Sequence, residues 1–129
     1  MRKASGGFTL LELITVMFII SILAGIALPQ FKGSVIAAKE AVLKENLFQL
    51  RDLIDQYYLD RGEYPASLEA LVEEGYLRSL PKDPMTGLAD WTTELAEPDQ
   101  TDPGAPLGLY DVHSSSQGSG LNGVPYSEW

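Results

Sequence analysis

The sequence predicts an α+β fold: one long N-terminal helix, a short second helix, and a small antiparallel sheet packed on the C-terminal half of the first. Three observations carry this. Residues 8–28 are apolar or small almost throughout, with Glu12 as the one charge. Ile36, Leu43, Leu47, Leu50, Ile54 and Tyr57 then recur at helical spacing, which defines an apolar stripe along a helix. Past Gly62 the pattern changes to Pro-, Gly- and Ser-rich turns around short β-prone runs.

The apolar run comes first. Its 21 residues span about 31 Å as a helix, the thickness of a bilayer core of roughly 30 Å. Arg2 and Lys3 precede it, a positive flank that keeps this end cytoplasmic and sends the C-terminal part outward. Between Pro29 and Gly62 only Gly33 interrupts good helix formers, so span and stripe read as one helix from Phe8 to about Arg61. Gly25 and Pro29 mark its weak point, where bending or local melting is expected, because proline lacks a donor and crowds the preceding turn. Lys44, Glu45, Arg51, Asp52 and Asp55 fall largely off the stripe. Glu40 and Lys44 form an i,i+4 pair in the favoured order.

Gly62 ends this helix, and Tyr64 before Pro65 is extended. Ser67 is an N-cap for a short helix carrying Leu68, Leu71 and Val72 on one face, with Gly75 as its stop. Residues 80–87 are rich in turn formers. Residues 91–95 suit a short strand, and 94–106, with four acids and three prolines, a solvated surface loop. Residues 107–113 are the best strand candidate. Strict alternation puts Leu107, Leu109, Asp111 and His113 on one side and Gly108, Tyr110 and Val112 on the other. The tail ends in Tyr126 and Trp129, two aromatics that predict a segment folded back onto the core.

Composition closes off several functions. Acids outnumber bases 18 to 9, for a net charge of -9, which argues against a nucleic-acid backbone as partner. There are no cysteines and one histidine, which excludes thiolate and multi-histidine metal centres. Asp111, His113 and Ser114–Ser116 hold the atoms of a hydrolase triad, but a triad needs members converging from separate elements. These read as a strand running into a polar loop, and no catalytic residue is assigned.

Glu12 decides how to read the N-terminus. A secretory signal peptide leaves the length of the apolar run and Glu12 unexplained; a plain signal anchor explains the length only. An ionised carboxylate in hydrocarbon costs about 2.5–3.5 kcal/mol on insertion scales, so an unpaired one is rare. Gly7-Phe8-Thr9-Leu10-Leu11-Glu12 resembles the cleavage site of type IV prepilins and pseudopilins. The resemblance implies that a prepilin peptidase cuts after Gly7 and methylates the amine of Phe8. Glu12 is then the mature chain's fifth residue, placed to pair with the Phe8 amine of a neighbouring subunit. Two charges that are costly alone neutralise each other there. Pro29, 22 residues from the cut, stands where many relatives carry proline. The implied organisation is a leader over 1–7, a transmembrane half-helix over 8–28 and a periplasmic domain over 29–129, in a pilin-like fold.

The stretch from Tyr64-Pro65 through Asp83-Pro84 to Trp91 resembles the soluble domain of G-type major pseudopilins of type II secretion. That implies a non-enzymatic, inner-membrane, single-pass subunit of a periplasmic filament that assists protein export. Its implied partners are further copies of itself, other pseudopilins, the inner-membrane assembly platform, the peptidase and lipid. A type IV pilus subunit, for adhesion, motility or DNA uptake, shares the same N-terminus but often adds paired C-terminal cysteines. A membrane-anchored enzyme using His113 is the reading from another class. Tyr110-Asp111-Val112, a Gly-rich loop and Trp129 are similar to the family's calcium-binding C-terminal loop. Calcium takes six to eight oxygen ligands, whereas this loop offers Glu128, Asn122, serines and carbonyls. Asn122 is the one ligand side chain carried over, and the ligand count favours a metal-free loop held by its own hydrogen bonds and Trp129.

Overall fold

A computed structural model describes residues 6–98 and 100–129; Arg2 and Lys3 of the expected flank lie outside the described residues. The chain falls into two compact units, Met1–Ile36 and Ala37–Trp129. Helix α1, Leu10–Arg61, contributes to both.

In the first unit the apolar side chains are exposed, and an 18-residue window of α1 has a mean hydropathy of 2.5 with none of it buried. Such a surface is unfavourable in water and matched to lipid. The hydroxyls of this segment satisfy themselves. Thr15 donates to the Leu11 carbonyl at 2.8 Å and Ser21 to that of Met17 at 2.7 Å, as a polar side chain in hydrocarbon must. The helix continues through Gly25 and Pro29, so the local melting expected there does not occur. Proline removes only one ladder bond, and the helix formers on both sides hold the remaining turns.

The second unit has its own core. Leu43, Leu47, Leu50, Ile54 and Tyr57 of α1 are all buried, as the stripe requires; Ile36, expected on the stripe, lies in the first unit and is 39% exposed. Helix α2, Leu68–Glu73, starts at Ser67, whose hydroxyl accepts from the Ala70 amide. It stops at Gly75, where φ is +81° and the Tyr76 and Leu77 amides turn back to the Leu71 carbonyl. Leu68 and Leu71 close onto the α1 stripe as part of one core.

Strands β1, Thr92–Leu95, and β2, Leu109–His113, form a two-stranded antiparallel sheet. Thr92 pairs with His113, Thr93 with Val112, Glu94 with Asp111, and Leu95 with Leu109. The register slips between Glu94 and Leu95, skipping Tyr110. This bulge corrects the expected alternation. An extra residue reverses the facing of what precedes it, so Leu109 and Val112 are both buried and Tyr110 is exposed. The strand also begins at Leu109 rather than Leu107. The tail folds back as expected: Tyr126 is buried, and Trp129 stands edge-on to it at 5.1 Å.

Candidate functional site

The N-terminal motif is built by capping. Thr9 precedes α1, its carbonyl accepting the first ladder bond from the Leu13 amide at 3.1 Å. Its hydroxyl accepts from the Glu12 amide at 3.2 Å, and the Glu12 Oε2 accepts from the Thr9 amide at 3.3 Å. This is a reciprocal capping box, Thr at N-cap and Glu at N3. Sequence reasoning assigned Glu12 and passed over Thr9, though T-x-x-E before an apolar run is the signal for it. The carboxylate also sits beside the positive end of the helix dipole. Gly7 and Phe8 precede the cap, exposed, with Phe8 at 85%. Gly7 and Phe8, on either side of the expected cut, are thus open to solvent, and the first helical turn begins just beyond them.

The second cluster lies where β2, the C-terminal segment and α1 meet in the second unit. Arg51 organises it. Its Nε donates to Asp111 Oδ1 at 2.7 Å, and Nη2 to the carbonyls of Val112 at 2.9 Å and Trp129 at 2.6 Å. Although it lies off the apolar stripe, Arg51 is half-buried and holds partners 60 to 78 residues away. Its planar fork suits one carboxylate and two carbonyls as a lysine would not. Glu40 and Lys44 likewise do not serve each other. Glu40 Oε1 accepts from the Leu121 amide and the Tyr126 hydroxyl, while the Lys44 ammonium sits 5.1 Å from the Trp129 ring centroid. Burial, together with the bond to Glu40, raises the Tyr126 pKa.

His113 does not complete a triad. Its ring faces Glu94, Asp111 and the Trp129 carbonyl. Ser114 turns to the opposite side and donates from Oγ to Asp83 Oδ2 at 2.5 Å. Asp83 is fully buried, its Oδ1 accepting from the Met85 amide, while the Trp91 indole donates to the Pro81 carbonyl. The Asp83-Pro84 turn is therefore a structural anchor for the 80–91 segment. Asn122 Oδ1 accepts from the Val124 amide at 3.1 Å, a local turn bond, and Trp129 Nε1 donates to the Val124 carbonyl.

A capped, lipid-matched helix opening at a Gly-Phe junction, followed in the chain by a small sheet domain, defines a pilin-like class. The family model for the prokaryotic N-terminal methylation motif matches residues 2–28. Type II secretion system core protein G of Klebsiella michiganensis is 32% identical, covering 96% of this chain and 89% of its own. Its namesakes in Pseudomonas aeruginosa and Vibrio cholerae are 35% and 37% identical over 64% and 65% of this chain, and 70% and 67% of theirs. The chain belongs to the type II secretion system core protein G family. No solved structure matches it.

Proposed function

We propose that this chain is a structural subunit of a type II secretion pseudopilus, processed by prepilin peptidase and assembled into a periplasmic filament that assists protein export. The observation that carries the reading is the Gly7-Phe8 junction set directly before a capped, lipid-matched helix in a chain of the core protein G family. Peptidase cleavage after Gly7 releases a positive amine on Phe8, which is then methylated. Glu12 lies one turn inward. Its Oε2 caps its own helix, and Oε1 of the same carboxylate remains to receive the Phe8 amine of an adjacent subunit. Charge neutralisation then favours ordered helix-to-helix assembly.

The apolar half of α1 fits anchoring in the inner membrane, with the N-terminus cytoplasmic and the second unit periplasmic. Copies of itself, other pseudopilins, the inner-membrane assembly platform and lipid are its partners, and it has no catalytic activity of its own. The C-terminal loop is held without calcium, because Asn122 already serves the Val124 amide and the loop's own sequence offers one carboxylate, Glu128.

Intact mass and the N-terminal peptide of protein from membranes with an active prepilin peptidase test this reading. A chain beginning at N-methylated Phe8 is expected. One still carrying Met1, or cut near Ala27, would mean a plain anchor or signal peptide and end the filament reading.

A further inference from the structure

On the face of the sheet that carries His113, two carboxylates are direct cross-strand partners: Glu94 on β1 opposite Asp111 on β2. Like charges in that position destabilise a sheet unless a cation compensates. Arg51 supplies one positive charge, at Asp111 Oδ1. That leaves Glu94 Oε1 and Asp111 Oδ2, and both point at one atom, His113 Nε2, at 3.3 Å and 3.5 Å.

The remaining polar atom of each group is already engaged. His113 Nδ1 lies 3.0 Å from the Trp129 carbonyl, which can only accept. The proton of a neutral ring therefore sits on Nδ1 and the lone pair on Nε2. Asp111 Oδ1 accepts from Arg51 and from the Val112 amide. Glu94 Oε2 accepts from the Tyr110 hydroxyl at 2.8 Å, and this bond raises the Tyr110 pKa. Three donor atoms converge within 4.8 Å of one another, each oriented by an outer partner. That is how metal-ligating histidines and carboxylates are held.

We propose that Glu94, Asp111 and His113 form a binding site for a divalent transition cation of the zinc class. Bonds of about 2.0–2.2 Å in tetrahedral geometry place neighbouring donors about 3.3–3.6 Å apart; both carboxylate oxygens stand at that distance from Nε2, and within 4.8 Å of each other. One imidazole and two carboxylates suit zinc and its neighbours, whereas calcium takes six or more oxygens. Glu94 is 48% exposed, so the ion reaches the site from solvent and water completes its coordination. The bound ion ties β1 to β2 across the like-charge pair. The site lies wholly within Ala37–Trp129 and is independent of the filament reading.

The chain has one histidine, so a single imidazole reports on the site. Untagged full-length chain in detergent micelles is titrated with zinc chloride, followed by calorimetry and by nitrogen-15 resonances of the ring. One equivalent is expected to bind, shifting Nε2 while Nδ1 keeps its proton. Glu94→Gln retains an acceptor for Tyr110 and is expected to weaken binding by ~10-fold or more, as is Tyr110→Phe through the outer shell. Both variants should keep the zinc-free melting temperature to within a few degrees. A ring that ignores saturating zinc, a shift at Nδ1 instead, an affinity untouched by Glu94→Gln, or displacement of zinc by equimolar calcium would each overturn the proposal.

Discussion

Removing the Ser114 hydroxyl breaks its bond to Asp83 and the longer one it accepts from the Ser116 amide at 3.2 Å, and leaves the rest of the core in place. Ser114 and Asp83 are 31 residues apart, both essentially inaccessible, and joined by a single short hydrogen bond. In Ser114→Ala the void is one oxygen, so packing loss is small. The penalty comes from Asp83 Oδ2, left buried with no donor. Hydrogen bonds to charged groups are worth about 1.5–3 kcal/mol, and an unsatisfied buried acceptor carries a similar penalty. For a domain of this size that corresponds to a fall in melting temperature of roughly 6–24 °C, at about 4–8 °C per kcal/mol. Circular dichroism of the full chain in micelles, scanned by temperature and by urea, reads it. Asp83→Asn should cost less than Ser114→Ala, because its Oδ1 still accepts from the Met85 amide and Ser114 can turn to accept from the new amide. The double-mutant cycle should show coupling of about 1–3 kcal/mol. A change below about 0.5 kcal/mol for Ser114→Ala, with no coupling, would refute the view that this pair anchors the 80–91 segment.

Gly108→Ala places a Cβ 2.4 Å from the Tyr64 Cβ and 2.8 Å from the Tyr64 carbonyl. Since backbone must move, a loss of about 1–3 kcal/mol is expected in the same melts. Arg51→Lys keeps the charge and loses the fork. It should destabilise by about 1–3 kcal/mol and raise hydrogen exchange at residues 126–129, which a purely electrostatic role would leave unchanged. Glu12→Val should insert in the membrane as well as the wild type but lose the cross-linkable multimers formed in cells; multimers at wild-type level would remove Glu12 from assembly. Tyr76 and Tyr126 both have pKa values raised above 10, Tyr76 chiefly through its bond to Asp60, Tyr126 chiefly through burial. Their neutral forms are thus favoured by folding. The stability they contribute is complete below about pH 10 and lost as pH rises through the higher folded values; ultraviolet titration of tyrosinate against melting temperature checks the sign.

The periodic parts of the chain were readable because one physical rule governs each. Leu43 through Tyr57 had to share a face at 3.6 residues per turn, and Ser67 and Gly75 had to bound a helix of the length between them. The Gly7–Glu12 motif was legible as spacing, and Thr9-x-x-Glu12 before an apolar run carried the signal of its capping box, which a resemblance to prepilins does not point to. What escaped was set by distant partners. Arg51 looked like any solvated cation off the stripe, since its acceptors are on β2 and at Trp129. Glu40 had an attractive neighbour in Lys44, yet two hydroxyl and amide donors from the tail won. Alternation misassigned Leu109 because one bulged residue, Tyr110, inverts parity, and bulges leave no period to detect. The Glu94, Asp111 and His113 cluster depends on that same register and could not be seen before it.

The reach of Arg51 also sets a timetable for folding. Its partners are 60 to 78 residues downstream, and Leu109, Val112 and Tyr126 join Leu68, Leu71 and Trp91 in the core built on the α1 stripe. Helical turns form in about a microsecond or less, whereas contacts this far apart wait on loop closure. A chain delivered N-terminus first therefore emerges with residues 43–57 already wound and their apolar side incompletely covered until residues 109–129 arrive. During that interval the half-made domain is a helix with an adhesive edge, and escorting it becomes a problem of time as much as of affinity.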